Sequence, residues 1–222
     1  MRKTIKYLLH NSFNLINKEL TPIMKYLGRK RNIDIHGDFV RFSSLELCAA
    51  EIYGKKLIGE VAELGVYKGD FAKLINVAFP DRKLYLFDTF EGFSNKDFEV
   101  ESINKYSTTD QDFSKTSVDI VLKKMKYPQN CIVKKGYFPE SAKDIDEKFV
   151  FVSIDPDLYK PIYDALKFFY PKLANGGYIF VHDFNNQEYK GARQAVLDFC
   201  KEEKISFFPL SDVGGSAVVI KN

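Results

Sequence analysis

The sequence has no tryptophan, only three cysteines and no long apolar run. Cys48, Cys131 and Cys200 are odd in number, widely spaced and outside any CxxC pair, which favours reduced thiols that serve packing in a cytoplasmic protein. No stretch approaches the roughly 18–20 apolar residues of a membrane-spanning helix. The longest apolar run near the N-terminus, Tyr7 to Leu9, is too short for a secretory signal.

The 222 residues are 45% hydrophobic and 28% charged, which suits one α/β domain with a real core. The net charge of +3 divides unevenly, with +7 on residues 1–31 and −4 on the rest. Such a basic segment can bind nucleic acid, an anionic membrane surface or an acidic partner. Nucleic acid is not expected, because the chain has no nucleic-acid motif and its body no basic stripe.

Residues 1–38 are predicted to form a basic, amphipathic helical arm. Apolar residues between Leu9 and Leu27 recur at steps of three and four, so they share one helical face, and Pro22 should kink the helix. We expect the arm to pack on its own domain or on a second subunit, with contact to a membrane surface or another polyanion as the alternative.

Residues 39–222 alternate between strand and helix patterns and are predicted to form one domain. Near-continuous apolar strands indicate a mostly parallel sheet with helices on both faces, the α/β class. Predicted strands are 57–66, 83–87, 131–135, 149–154, 178–181, 205–208 and 217–220. Predicted helices are 39–53, 71–78, 116–125, 161–173 and 189–200.

Residues 91–114 show no clear period. A structureless loop of that length is uncommon in a compact domain unless it is functional or disordered. We interpret it as a lid-like insertion over the ligand-binding edge of the sheet, with a plain surface insertion as the alternative.

A glycine turn follows the first predicted strand, with Glu63, Gly65 and Gly69 in the pattern E-x-G-x-x-x-G. It lacks the third glycine of a dinucleotide fingerprint and the G-K-[ST] of a Walker loop. An acid in this turn would repel phosphate but suit an ammonium group. Asp88 ends the next strand, where a carboxylate can accept bonds from ribose hydroxyls. A turn or cap role for Asp88 stays open. Together the two sites suggest a nucleoside with a charged, phosphate-free tail, such as S-adenosylmethionine.

Two further motifs that contain aspartate end neighbouring strands, Asp155-Pro156-Asp157 and His182-Asp183. Carboxylates with one imidazole suit Mg²⁺ or Mn²⁺. The alternative is that these acids cap helices and turns, with Asp157 capping the helix that Pro161 helps to begin.

Five segments carry a resemblance to a known family: EVAELGVYKGDFAKLI, LYLFDTFEGF, KKGYFPES, FVSIDPDLYKPIYDALKFFYPKLANGGYIFVHDFN and GARQAV. In this order they resemble the macrocin O-methyltransferase (TylF-type) family over about residues 40–200. The resemblance implies a Rossmann-like class I methyltransferase with a seven-stranded, mostly parallel sheet. It also implies an S-adenosylmethionine-dependent O-methyltransferase with a divalent metal, a sugar acceptor and a homodimeric assembly through N-terminal elements.

The resemblance also assigns site residues. Asp157 matches the general base, and Asp155 and Asp183 match metal ligands. Characterised members carry two adjacent acids where this chain has His182-Asp183, so we include His182 as a ligand that suits Mn²⁺ better than Mg²⁺. The cofactor-binding set is Glu63, Gly65, Val66, Tyr67, Gly69, Asp88, Thr89, Gly136 and Tyr137.

Three other functions compete with methyl transfer. A metal-dependent glycosyltransferase would use Asp155-Pro156-Asp157 as a D-x-D motif under a nucleotide-sugar diphosphate, although Glu63 would then face phosphates. A nicotinamide-dependent enzyme would need the third glycine of the dinucleotide fingerprint, which this chain lacks. A non-catalytic nucleoside-binding module would leave the acidic cluster, whose like charges repel one another, without a purpose.

Overall fold

The computed structural model describes residues 38–222. The predicted arm lies outside the described residues, apart from Asp38. The helices are α1 (Phe39–Gly54), α2 (Ala72–Ala78), α3 (Asn95–Asn104), α4 (Val118–Leu122), α5 (Tyr159–Lys172) and α6 (Lys190–Glu203). The strands are β1 (Glu60–Leu64), β2 (Leu84–Asp88), β3 (Cys131–Lys135), β4 (Phe149–Ile154), β5 (Leu173–Val181), β6 (Phe207–Pro209) and β7 (Ala217–Ile220).

The seven strands form one sheet in the order β3-β2-β1-β4-β5-β7-β6. The first five in this order pair in parallel, and β7 pairs antiparallel with both β5 and β6. The predicted α/β class and Rossmann-like, mostly parallel sheet are therefore confirmed. The strand order reverses between β1 and β4, and in such sheets the crevice beyond the carboxyl ends at that point receives the ligand.

Phenylalanine fills the core of this tryptophan-free chain. Every residue of β4 is buried, as expected for a central strand covered by helices on both faces. On one side Phe149 meets Phe169 of α5 edge to face, with ring centroids 5.1 Å apart. On the other side of the sheet, Phe151 contacts Phe79, which follows α2, with ring centroids 5.8 Å apart. This packing anchors β4 between the helix layers on the two faces of the sheet.

The 91–114 segment contains a helix that the sequence did not predict. Ser94 caps α3 by accepting a hydrogen bond from the Lys96 backbone N–H. The two buried residues of α3 are Asp97 and Glu101, which lie one helical turn apart. A search for apolar periodicity misses this helix because its buried face is made of carboxylates.

Several element boundaries also differ from the prediction. β1 occupies only 60–64 of the predicted 57–66, and β5 begins at Leu173, directly after α5, instead of at 178. Leu173 pairs with Phe149 across an irregularity in the β4–β5 register, so the strand extends beyond its apolar run. No helix within residues 38–222 is both long and apolar enough to cross a bilayer.

Candidate active site

A cavity of about 630 Å³ opens at the carboxyl ends of β1, β2, β4 and β5. Of the sequence-predicted site residues, Gly69 alone does not line it and instead approaches Val121. The other twelve come together around the cavity: Glu63, Gly65, Val66, Tyr67, Asp88, Thr89, Gly136, Tyr137, Asp155, Asp157, His182 and Asp183.

The turn after β1 is built for close backbone approach. Gly65 has φ +82°, and a Cβ there would lie 2.2 Å from the Asp155 carbonyl oxygen. Any other residue would force β1 and β4 apart at the point where the strand order reverses. Gly65 therefore allows the turn after β1 to lie directly against the backbone of Asp155, which follows β4.

Asp88 shapes the same turn from the end of β2. Its Oδ2 accepts from the Tyr67 backbone N–H at 2.8 Å, and its Oδ1 accepts from the Phe90 N–H at 2.6 Å. The carboxylate thus has the turn role that the sequence left open, and it also lies in the cavity wall, where each oxygen retains a second lone pair.

Glu63 is the most deeply buried acid of the cavity wall, at 1% exposure. Its Oε2 has no hydrogen-bond partner within residues 38–222. Burial raises the pKa of this carboxyl well above its usual range, although the charge of Arg41 opposes the shift. A buried, under-satisfied carboxyl beside a cavity is suited to a ligand that brings a positive charge or N–H donors.

Asp155, His182 and Asp183 form a three-residue cluster at the ends of β4 and β5. His182 Nδ1 lies 3.0 Å from Asp155 Oδ1 and 2.9 Å from Asp183 Oδ2. One ligand atom from each of the three falls within 4.8 Å of the others, which suits a shared cation. Burial lowers the pKa of His182, but the charge of Asp155 and bonds to both acids outweigh it and raise that pKa to about 10.

Arg41 of α1 joins this cluster, although the sequence motifs do not point to it. Its Nη2 donates to Asp155 Oδ2 at 3.0 Å and to Ser153 Oγ at 3.2 Å. Its guanidinium lies 3.9 Å from the centre of the Phe71 ring. A signal was present, since Arg41 precedes the buried Leu45 and Ala49 at steps of four and so shares their face of α1.

Asp157 lies at the centre of a γ-turn. Its φ is +63°, and the Leu158 N–H donates to the Pro156 carbonyl at 2.7 Å. Burial, followed by the charges of Asp155 and Asp183, raises the pKa of Asp157 well above its usual range. The alternative in which Asp157 caps α5 is wrong, because Leu158 occupies the N-cap position and the helix has no side-chain cap of its own.

The 91–114 segment supplies one wall of the cavity through Phe93, Asp97 and Phe113. Phe113 meets Tyr67 and Phe93 edge to face, with centroids 5.3 and 5.0 Å apart. An aromatic surface of this kind can pack against the apolar face of a ligand.

The chain matches a known family over most of its length. The profile of the family described as Macrocin-O-methyltransferase (TylF) matches residues 36–222. A curated relative from Streptomyces olivaceus is 22% identical over 190 residues, covering 80% of this chain and 71% of the relative. It is the 8-demethyl-8-(2,3-dimethoxy-alpha-L-rhamnosyl)-tetracenomycin-C 4'-O-methyltransferase.

Two solved structures share the fold. The O-methyltransferase NovP has a TM-score of 0.64 at 19% identity, over 82% of this chain and 79% of its own. The calicheamicin methyltransferase CalS11 has a TM-score of 0.65 at 17% identity, over 81% of this chain and 78% of its own.

Proposed function

Because the chain belongs to the macrocin O-methyltransferase (TylF) family, and is therefore an S-adenosylmethionine-dependent methyltransferase, we propose that it methylates a sugar hydroxyl. In this proposal Asp157 is the general base, and Asp155, His182 and Asp183 form a divalent-metal site beside it. The observation that carries the proposal is the convergence of Glu63 and these acids around one cavity at the switch point of the sheet.

The side of the cavity formed by Glu63 and Asp88 suits S-adenosylmethionine. Glu63 offers a buried carboxylate to an ammonium group, and Asp88 offers free lone pairs to ribose hydroxyls. A nucleotide-sugar diphosphate is disfavoured, because Glu63 would face its phosphates. The glycosyltransferase alternative therefore has less support than methyl transfer.

A sugar acceptor is supported by the relative that acts on a rhamnosyl group of a tetracenomycin. The aromatic wall of Tyr67, Phe93 and Phe113 can pack on the C–H face of a pyranose while its hydroxyls face the acids. We therefore assign the acceptor to glycosyl hydroxyls rather than to a particular natural product.

The donor set fits a divalent ion. Two carboxylates and one imidazole lie close enough to share it, and such a mixed set is typical of Mn²⁺ more than of Mg²⁺. When bound, the ion supplies Lewis acidity that makes an alcohol easier to deprotonate.

The chain's own residues then complete the reaction. Asp157 accepts the hydroxyl proton as a general base that lies in the cavity wall beside the acceptor. The sugar oxygen forms a bond to the sulfonium methyl carbon as the carbon–sulfur bond breaks. The products are a methyl ether and S-adenosylhomocysteine, with the proton on Asp157.

The proposal is tested with the purified chain, S-adenosylmethionine that carries a deuterated methyl group, and matched acceptors. Rhamnosides and nucleotide-linked rhamnose represent sugars, and catechol represents phenols. We expect mass spectrometry to find the labelled methyl group on the sugar, and S-adenosylhomocysteine to stabilise the fold by about 2.7 kcal/mol at 100 times its Kd. Methylation of catechol with none on any sugar would contradict the assignment.

A further inference from the structure

A carboxylate from the 91–114 segment caps the helix that follows Asp157. Glu101 Oε1 accepts a hydrogen bond at 2.8 Å from the backbone N–H of Tyr159, the first residue of α5. We propose that Glu101 is a positioning residue that fixes the γ-turn of Asp157 and so aims the general base at the acceptor. This inference rests on the proposed role of Asp157.

The γ-turn needs support from outside itself. A residue other than glycine with φ near +60° is in a sparsely populated, strained conformation that persists only when its surroundings hold it. Asp157 keeps this conformation while both of its neighbours are held, with Pro156 accepting from Leu158 and Leu158 buried at the N-cap. The next hydrogen-bonded group along the chain is the Tyr159 N–H, and Glu101 holds it.

Glu101 is itself firmly placed. It is 1% exposed, and its Oε2 accepts from Ser107 Oγ at 2.6 Å. Gly191, the second residue of α6, comes so close that a Cβ there would lie 3.0 Å from Glu101 Oε1. The carboxylate therefore lies beside the first turns of both α5 and α6, where the positive ends of the helix dipoles stabilise a negative charge.

Tyr159 is held from two further sides. Its ring stacks on Tyr106, with centroids 5.4 Å apart, and its hydroxyl donates to Asp198 at 3.1 Å. Tyr106 also accepts from the Lys190 N–H at the start of α6, at 3.0 Å. The 91–114 segment thus bonds to the starts of both α5 and α6, and Glu101 is its residue that bonds to the backbone next to the γ-turn.

A displacement of the base by about 1 Å can cost on the order of 100-fold in rate without any loss of binding. Glu101→Ala should therefore lower kcat by about 10- to 100-fold. The acceptor KM and the affinity for S-adenosylhomocysteine should stay close to those of the wild type, because Glu101 does not line the cavity.

The decisive experiment is a double-mutant cycle of Glu101→Ala with Asp157→Asn in the full chain, measured as kcat on a methylated acceptor. If Glu101 acts through Asp157, Glu101→Ala should cost little once Asp157 has lost its base function, so the two losses should not add. Full additivity, or a Glu101→Ala enzyme with normal kcat, would overturn the inference. Near-normal turnover of Asp157→Asn would instead overturn the proposed function, so the two failures are distinguishable.

Conservative variants separate positioning from folding. Glu101→Gln keeps a carbonyl oxygen for the Tyr159 N–H and should retain most of the kcat, whereas Glu101→Asp shortens the reach and should lose it. Ser107→Ala is the matched control, because it removes the other bond to Glu101 and leaves Tyr159 held. If Glu101→Ala does not fold, Glu101→Asp replaces it in the cycle with the same expected result. If Ser107→Ala lowers kcat as much as Glu101→Ala does, a role of Glu101 through Tyr159 is contradicted.

Discussion

Arg41 Nη2 lies 3.0 Å from Asp155 Oδ2, so a guanidinium already occupies one side of the first proposed metal ligand. Both side chains are largely buried, and Asp155 receives its second contact from His182 on the opposite oxygen. The acidic cluster therefore contains resident positive charge that belongs to the protein itself. An added divalent ion would have to bind against this charge.

Replacement of Arg41 by glutamine should lower the free energy of unfolding and make that free energy increase when Mn²⁺ is added. Removing one partner of a buried ion pair costs about 3–5 kcal/mol, and Mn²⁺ should restore part of that loss because the cation repulsion is gone. We expect tighter Mn²⁺ binding by electron paramagnetic resonance and a larger Mn²⁺-dependent gain in the free energy of unfolding by urea. Lys201→Gln, at an exposed position of α6, is the control and should change neither measurement. Equal or weaker Mn²⁺ binding by Arg41→Gln would show that Arg41 does not oppose the ion.

Asp157→Asn should lower kcat by about 10²- to 10⁴-fold, the usual contribution of a positioned general base. Asparagine tolerates the positive φ of this position, so the backbone should not change. Thermal shift with S-adenosylhomocysteine checks that cofactor binding is intact. A variant with turnover near that of the wild type on a true acceptor would exclude Asp157 as the base.

Glu63→Gln should stabilise the ligand-free protein and weaken cofactor binding. Because the folded state raises the pKa of Glu63, it binds this proton more tightly than the unfolded state does, so the contribution of Glu63 to stability falls as pH rises above the unfolded pKa. Urea unfolding at several pH values should show that the advantage of the variant grows with pH.

The same variant should lose about 10-fold or more in affinity for S-adenosylhomocysteine, because a charge-assisted bond to the ammonium group becomes a neutral one. Isothermal titration calorimetry gives this value. Glu60→Gln, on the same strand but bonded to the Lys83 backbone N–H, is the control and should bind normally. Unchanged affinity in Glu63→Gln would place the ammonium group elsewhere.

Gly214→Ala should disturb His182. A Cβ at Gly214 would lie 2.5 Å from His182 Cε1 and 2.6 Å from Nε2, so the imidazole must move. Changes in the groups around a metal ligand typically cost about 10- to 100-fold in metal affinity, so we expect a loss of that size when Mn²⁺ binding is titrated by electron paramagnetic resonance.

The control for Gly214→Ala is Gly54→Ala at the end of α1, where a Cβ meets nothing within 4 Å. This variant should bind Mn²⁺ as the wild type does. Normal Mn²⁺ affinity in Gly214→Ala would indicate that the ion does not use His182.

The sequence predicted those parts of the site that follow from strand direction. Parallel strands end at one edge, so Glu63, Asp88, Asp155 and Asp183 could be expected to meet before any side chain was placed. The predicted roles of these residues as ligands stay predictions. Apart from α3, the sequence-based order of strands and helices was right from α1 to β7, because the strands contain apolar runs bounded by turn residues.

Contacts between segments far apart in the chain were not predictable in the same way. Arg41 reaches Asp155 across 114 residues, and Glu101 reaches Tyr159 across 58. In both cases a charged residue lies on the buried face of a helix, where pattern analysis expects an apolar one. The exceptions to the apolar pattern thus marked two residues that bond to the segment containing the proposed base, at Asp155 and at Tyr159.

The left-handed backbone conformation of Asp157 and Asp183 has a consequence for protein engineering. Asp157 and Asp183 have φ values of +63° and +55°, and they lie close to other negative charges. Glycine in place of Asp157 would relieve backbone strain and the repulsion from Asp155 and Asp183 at once. Asp183 differs, because it also bonds to His182 and Asn186. A directed-evolution campaign that selects for heat resistance alone would therefore favour the loss of Asp157, so thermostable variants of this protein should be screened for turnover in every round.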